Sequence, residues 1–221
     1  MKIEGCRVAA AMVVYHTYGL MRKAVASVRR FYPDIDFFVV DNTEGVAPRN
    51  VRKWAKRNRV RLIRVGSNIG HGPGMNVALW ATEADVLLML DSDTEMYEPN
   101  LLEDALAKVG GRKTRWYGIG PVAPVKRPVG GEKVSYLHSS TCLFHVGYYR
   151  RFEPFTDHGL ALVAPMYELR VKRMESMLVD FPVQDYVHHL WRGTRDFCRG
   201  HQLDRSYESR KSASWWEPGK F

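Results

Sequence analysis

Val86-Leu87-Leu88-Met89-Leu90-Asp91-Ser92-Asp93 runs an unbroken apolar segment into two carboxylates at i, i+2. In an extended chain those two side chains point to the same side. Two like charges at the end of a buried strand are costly unless something positive joins them. A hard divalent cation, Mg²⁺ or Mn²⁺, suits such a pair, with oxygens from carboxylate, water and a diphosphate. An ion there stabilises the negative charge that develops on a nucleoside diphosphate leaving group. Asp-x-Asp triplets also occur in solvated turns and helix caps. The fully apolar strand ahead of this one favours a site.

Two further segments carry chemistry-bearing residues. Gly66-Ser67-Asn68-Ile69-Gly70-His71-Gly72-Pro73-Gly74-Met75-Asn76 opens a helix, where glycines let a ligand approach the backbone and the helix N-terminus favours an anion. Its glycine spacing does not meet the dinucleotide-binding pattern G-x-G-x-x-G, and a tight helix-entry turn explains it equally well. Phe37-Phe38-Val39-Val40-Asp41-Asn42 is an apolar strand that ends in a carboxylate. Asp41 can accept hydrogen bonds from a nucleobase or ribose, or it can cap a turn.

The elements that must position these residues alternate regularly. Arg7–Tyr15, Asp36–Val40, Val60–Val65 and Asp85–Leu90 read as strands. Gly19–Phe31, Pro48–Asn58, Gly74–Glu83 and Pro99–Val109 read as the helices between and after them. This alternation predicts an α/β fold with a mainly parallel central sheet and helices on both faces. In such sheets ligands bind at the carboxyl ends of the strands, where Asp41, Asn68, Asp91 and Asp93 fall. The second half is less regular. Trp116–Val125 is interrupted by Pro121 and Pro124, and Gly130–Gly131 marks a turn. Thr141–Val146 reads as a strand, Ala164–Met177 as a helix and Val183–Leu190 as a last strand.

Composition narrows the class. The chain has 221 residues, enough for one α/β domain with a sizeable core. Its cysteines, Cys6, Cys142 and Cys198, form no Cys-x-x-Cys pair, which suits a reducing cytoplasm better than a disulfide framework. His138, Cys142 and His145 have metal-like spacing but match no standard zinc pattern. The apolar run Val8–Tyr15 is too short to span a membrane and reads as a strand rather than a signal peptide. A formal charge of +9, much of it between Arg52 and Arg64, fits a solvated helix face or an anionic partner such as a membrane surface. The expected location is the cytoplasm, with peripheral membrane contact in view.

From Val8 to about Met96 the chain resembles family 2 of the GT-A glycosyltransferases. The resemblance rests on the polar loop Val13-Val14-Tyr15-His16-Thr17-Tyr18, on Asp41-Asn42, on Asn68-Ile69-Gly70 through Asn76, and on Leu90-Asp91-Ser92-Asp93. It continues more faintly through Thr141-Cys142-Leu143-Phe144, Phe155-Thr156-Asp157 and Val187-His188-His189-Leu190 to Gly193-Thr194. The resemblance implies a GT-A fold and transfer of a sugar from a nucleotide-sugar donor to a glycan, lipid or protein acceptor, with Mn²⁺ or Mg²⁺ as cofactor. It implies one domain over residues 1–195, with a donor half at 1–97, an acceptor half at 98–195 and a basic, aromatic tail at 196–221.

By the same resemblance Asp41 holds the donor's base and Asn68 lies near it or the ribose. Tyr15, Thr17, Gly70, Asn76, Asp91 and Ser92 join the donor site. Asp93 is the principal metal ligand, with Asp91 and His189 completing the set; His189 is preferred to His188 on its spacing before Gly193-Thr194. The family's Glu-Asp base is missing from Ala164-Pro165-Met166-Tyr167-Glu168-Leu169-Arg170, which leaves Glu168 and Asp157 as the available carboxylates. Glu168 can instead pair with Lys172 one helical turn on. With a base in place, inversion by single displacement is expected. Two other readings stand beside this one. A nucleotidyltransferase of similar fold lacks its Gly-rich, basic loop after the first strand here. A non-catalytic, basic nucleic-acid- or membrane-binding scaffold is disfavoured by the intact Asp91/Asp93 pair, and nucleic acid is the less favoured of its partners.

Overall fold

A computed structural model describes residues 1–111, 114–126, 131, 133–156 and 160–190. The first half runs β1 (Lys2–Ile3), β2 (Cys6–Val14), α1 (Tyr18–Phe31), β3 (Asp36–Asp41), α2 (Arg49–Arg57), β4 (Val60–Arg64), α3 (His71–Ala81) and β5 (Val86–Asp91). The expected alternation is present, with boundaries shifted by a few residues. The second half runs β6 (Thr94–Met96), α4 (Leu101–Lys108), β7 (Gly118–Gly120), β8 (Val122–Lys126), β9 (Lys133–Leu137), β10 (Thr141–His145), α5 (Val146–Tyr149), α6 (Val163–Val171), β11 (Leu178–Asp180) and β12 (Val187–His189).

The main sheet has the order β11-β7-β10-β5-β2-β3-β4, with β1 attached to β2. β5, β2, β3 and β4 are parallel neighbours, while β10 lies antiparallel between β5 and β7. The sheet thus passes through both halves of the chain. Two small ribbons lie off it: β6 pairs with β12 and β8 with β9, both antiparallel.

Alternate residues of each central strand enter opposite cores, as the two-residue period of a strand requires. Val8, Ala10, Met12 and Val14 of β2 pack with α1, α2 and α4 through Met21, Val25, Val51, Leu102 and Leu106. Ala9, Ala11 and Val13 pack on the other face with Met75 and Leu79 of α3 and Met166 and Leu169 of α6. β5 divides the same way, Val86, Leu88 and Leu90 against Leu87 and Met89. Burial on both faces explains its unbroken apolar run, and each fully buried leucine contributes about 1.5–3 kcal/mol.

Three expectations for the second half are corrected. The helix expected to reach Met177 stops at Val171. Arg173 takes φ 55°, its N–H reaches Arg170 O and the Met174 N–H reaches Leu169 O, the paired bonds of a Schellman cap. That cap normally uses glycine, so no residue type announced it. The stretch Trp116–Val125 divides at Pro121 into β7 and β8, which join different sheets. The expected last strand begins instead as a 3₁₀ turn at Val183–Asp185, and only Val187–His189 is extended. β1, β6, β9, α5 and β11 are additional to the elements expected from the sequence. The expected tail at 196–221 lies outside the described residues.

α3 starts at His71, three residues earlier than expected, because Gly70 at φ 97° turns the chain into it. Gly74 lets the helix lie directly on β2: a Cβ there would sit 2.8 Å from Val13 Cγ1. Gly74→Val is expected to lower stability by about 1–3 kcal/mol through overpacking, read as a fall in the urea midpoint with an unchanged denaturant slope.

Candidate active site

The parallel register sets the frame. Val14 of β2 is level with Asp41 of β3, and Val13 is level with Asp91 of β5. The two carboxylates therefore end strands on either side of β2, about 10 Å apart at ordinary strand spacing.

Asp91 and Asp93 meet a histidine from the far end of the chain. β12 pairs with β6 so that His189 is level with Thr94, and the Leu190 N–H donates to Asp93 O at 2.8 Å. His189 Nε2 lies 3.1 Å from Asp91 Oδ2 and 3.4 Å from Asp93 Oδ1. One ligand atom from each of the three residues can be chosen so that all lie within 4.8 Å of one another. Two carboxylates and one imidazole converging in this way can hold a divalent cation, and the mixed O/N set suits Mn²⁺ or a similar first-row ion. His188, the neighbour in sequence, points elsewhere and stacks on Tyr97 with centroids 3.9 Å apart.

Asp91 has further partners. His71 Nε2, at the start of α3, lies 3.6 Å from Asp91 Oδ1, and the Asp91 N–H donates to Ser140 O at 2.8 Å. Burial alone raises its pKa; the hydrogen bond with His189 and the charges of His71, His189 and His138 outweigh that and hold it below the ordinary value. His138 lies just before β10, its Nδ1 2.8 Å from Ser140 Oγ. Burial lowers its pKa to about 4, against the opposing pull of Asp91. Sequence reasoning did not assign His71 or His138 to the site. His71 was visible only as part of the Gly-rich segment. His138 shares metal-like spacing with Cys142 and His145, but Cys142 is buried in the core and His145 caps α5.

Asp41 is buried and tightly held. Tyr18 Oη donates to its two oxygens at 3.2 and 3.1 Å, and the Thr43 N–H donates to Oδ1 at 3.1 Å. Burial, followed by the nearby Asp41 charge among other causes, pushes the Tyr18 hydroxyl up. Asn42 Nδ2 donates to Gly70 O at 2.8 Å and approaches Asn68 Oδ1 at 3.5 Å, which in turn accepts from the Gly70 N–H. Asp41-Asn42 and Asn68-x-Gly70 thus form one connected corner. Tyr15 Oη donates to Glu44 at 3.2 Å, and Thr17 and Ser92 share a buried hydroxyl–hydroxyl bond of 2.8 Å. That bond ties the loop after β2 to the Asp91-Ser92-Asp93 turn.

Other expected site residues have partners of their own. The Asn76 amide is engaged with Phe155: Nδ2 donates to its carbonyl at 2.8 Å, and Oδ1 accepts from its N–H at 2.9 Å and from Tyr149 Oη at 2.7 Å. Glu168 accepts from the Glu153 N–H at 2.6 Å and from Lys172 Nζ, the intrahelical pair that its spacing allowed. Burial raises its pKa, and those two donors outweigh burial and lower it. Asp157 lies outside the described residues.

The carboxylates at the carboxyl ends of β3 and β5 and the glycine-rich entry to α3 sit on a mixed, mainly parallel sheet of the GT-A kind. The model of glycosyl transferase family 2 matches residues 10–120, and the chain belongs to that family. A mannosyltransferase from Pyrobaculum calidifontis, PcManGT, solved with GDP-Man and Mn²⁺, superposes with a TM-score of 0.59 at 16% identity over 96% of this chain and 66% of its own. S. aureus TarS gives 0.57 at 13% identity over 82% of this chain and 36% of its own. Glucosyl-3-phosphoglycerate synthase from Mycobacterium tuberculosis, solved with Mn²⁺, UDP and glucosyl-3-phosphoglycerate, gives 0.59 at 11% identity over 97% and 82%. No curated protein sequence matches the chain. Among the described residues no helix is long and apolar enough to cross a membrane.

The His138 environment has a measurable consequence. Its folded-state pKa of about 4 lies below the ordinary histidine value of 6.5, so the unfolded chain takes up its proton first as the pH falls. The neutral ring therefore contributes stability that is present above pH 6.5 and lost as the pH falls through the folded value. Across that window the wild type should lose about 1–3 kcal/mol more than His138→Asn, measured by urea unfolding at a series of pH values.

Proposed function

We propose that the protein transfers a sugar from a nucleoside-diphosphate-sugar to an acceptor hydroxyl, using a divalent cation held by Asp91, Asp93 and His189. The observation that carries this reading is the convergence of those three residues at the carboxyl end of β5, in a chain of family 2. Similar folds were solved with GDP-Man and Mn²⁺ and with UDP and Mn²⁺, which supports a nucleotide-sugar donor and favours Mn²⁺ over Mg²⁺. The ion, when bound, supplies positive charge for the departing diphosphate.

The chain's own residues then divide the work. Asp41, fixed by Tyr18 and Thr43, receives the nucleobase or ribose. Asn68 and Gly70, joined through Asn42, shape the neighbouring wall together with Tyr15. Thr17 and Ser92 hold the loop that carries the two ligating aspartates in register. Asn76 serves the site at one remove, pinning Phe155 two residues before Asp157. The acceptor's proton passes to a carboxylate as its oxygen attacks the anomeric carbon, with inversion by single displacement. Glu168, kept ionised by Lys172 and the Glu153 N–H, and Asp157 are the two residues for that role. Residues 1–97 form the donor half of one domain that extends to 195, and residues 98–195 form its acceptor half.

Calorimetric titration of the protein with UDP, GDP and dTDP and their sugars, with Mn²⁺ and with chelator, tests this reading. One nucleotide should bind only with the metal, and Asp93→Ala should weaken that binding at least about a hundredfold. Absence of binding to every nucleotide by folded, metal-supplied protein would sink the proposal.

A further inference from the structure

The charge of this chain is concentrated on one part of the fold. Between Tyr18 and Arg64 there are twelve Lys and Arg against four Asp and Glu, so this stretch alone carries +8 of the formal +9. Within it α2 reads Arg-Asn-Val-Arg-Lys-Trp-Ala-Lys-Arg, with no acid. Arg49, Arg52, Lys53, Lys56 and Arg57 are all exposed, and their spacing of i, i+3, i+4, i+7, i+8 places them on one helical stripe. Val51 and Ala55 are buried on the opposite side. Neighbouring cations extend the surface: the Arg22 guanidinium lies over Trp54, 5.7 Å from its centroid, and Arg29 bonds the carbonyls of Asn58 and Arg59.

This stripe is unfavourable for the helix that carries it. Like charges one turn apart repel, and Arg49 and Arg52 sit against the positive end of the helix dipole. Among the described residues the ion pairs made by Lys and Arg are Arg7–Asp85, Arg59–Asp34 and Lys172–Glu168; no α2 side chain takes part. An external anionic surface would relieve the repulsion.

We propose that the α2 face docks on an anionic lipid bilayer. The stripe is a convex helix flank, suited to a broad, planar array of charges. Its exposed side chains include no aromatic platform of the kind that single-stranded nucleic acids use for stacking. The loop ahead of α2 adds Val46, an aliphatic side chain that is 68% exposed and placed to enter the interface beside the cations. The α2 stripe shares no residue with the proposed donor site, and this proposal does not depend on the transfer reading.

The test is co-sedimentation with phosphatidylcholine vesicles and with vesicles of equal phosphatidylcholine and phosphatidylglycerol, at low and high salt. Binding should require phosphatidylglycerol and weaken with salt. Each cation removed should cost about fivefold, so Arg52→Gln/Lys53→Gln/Lys56→Gln should bind roughly a hundredfold more weakly. Its thermal midpoint should not fall, because repulsion is removed; if it does fall, Lys53→Gln and Arg57→Gln made singly should each show the fivefold loss. Partitioning that ignores lipid charge or these substitutions overturns the proposal. Tighter binding to duplex DNA or to RNA than to the mixed vesicles overturns it in favour of a nucleic-acid face.

Discussion

Asp91 ends a strand that is buried on both faces and Asp93 lies in the turn just after it, and their mutual repulsion sets the terms for everything around them. Two unit charges about 4 Å apart at an effective dielectric near 20 repel by about 4 kcal/mol. The fold supplies compensation from three directions. The β6/β12 ribbon places His189 between the carboxylates, α3 begins with His71 beside Asp91, and β10 brings His138 and Ser140 to the end of β5. Imidazoles suit this task because they can share a proton with the carboxylates or give a lone pair to a metal.

The same constraint explains why the two halves of the chain interlock. Parallel strands can deliver carboxylates to one end of the sheet, but their crossover helices occupy both faces and leave little to meet those charges. The antiparallel β10 and the small ribbon come from the second half and enter at that end. A second tie runs through Asn76, whose amide forms paired hydrogen bonds with the backbone of Phe155 and accepts from Tyr149. Asn76 thus couples the helix that follows the glycine-rich turn to the segment leading toward Asp157. Three hydrogen bonds on one half-buried amide make a firm joint between these two segments.

The first half was legible because its signals are local. β5 is apolar throughout since both faces are covered, α1 repeats its buried residues at helical spacing, and Gly70 and Gly74 stand where a turn and a close helix–strand contact need them. The second half hid its structure behind contacts that composition does not encode. An arginine at φ 55° ends α6 where glycine would have signalled a stop. β11 and β12 are three residues long and are defined by the strands they pair with, β7 and β6, rather than by any period of their own.

The residue pattern alone carries the α/β alternation and the placement of Asp41, Asn68 and Asp91-Ser92-Asp93 after the strands, through periods of two and 3.6 residues and the cost of leaving charge at the end of an apolar strand. The preference for His189 over His188 rests on the family resemblance. Which side chains compensate that charge was set by the tertiary structure. It brought His189 across 98 residues to Asp91, added His71 and His138, committed Asn76 to Phe155 and paired Glu168 with Lys172. Such contacts depend on strand pairing between distant segments, where a shift of one residue would turn each side chain to the opposite face.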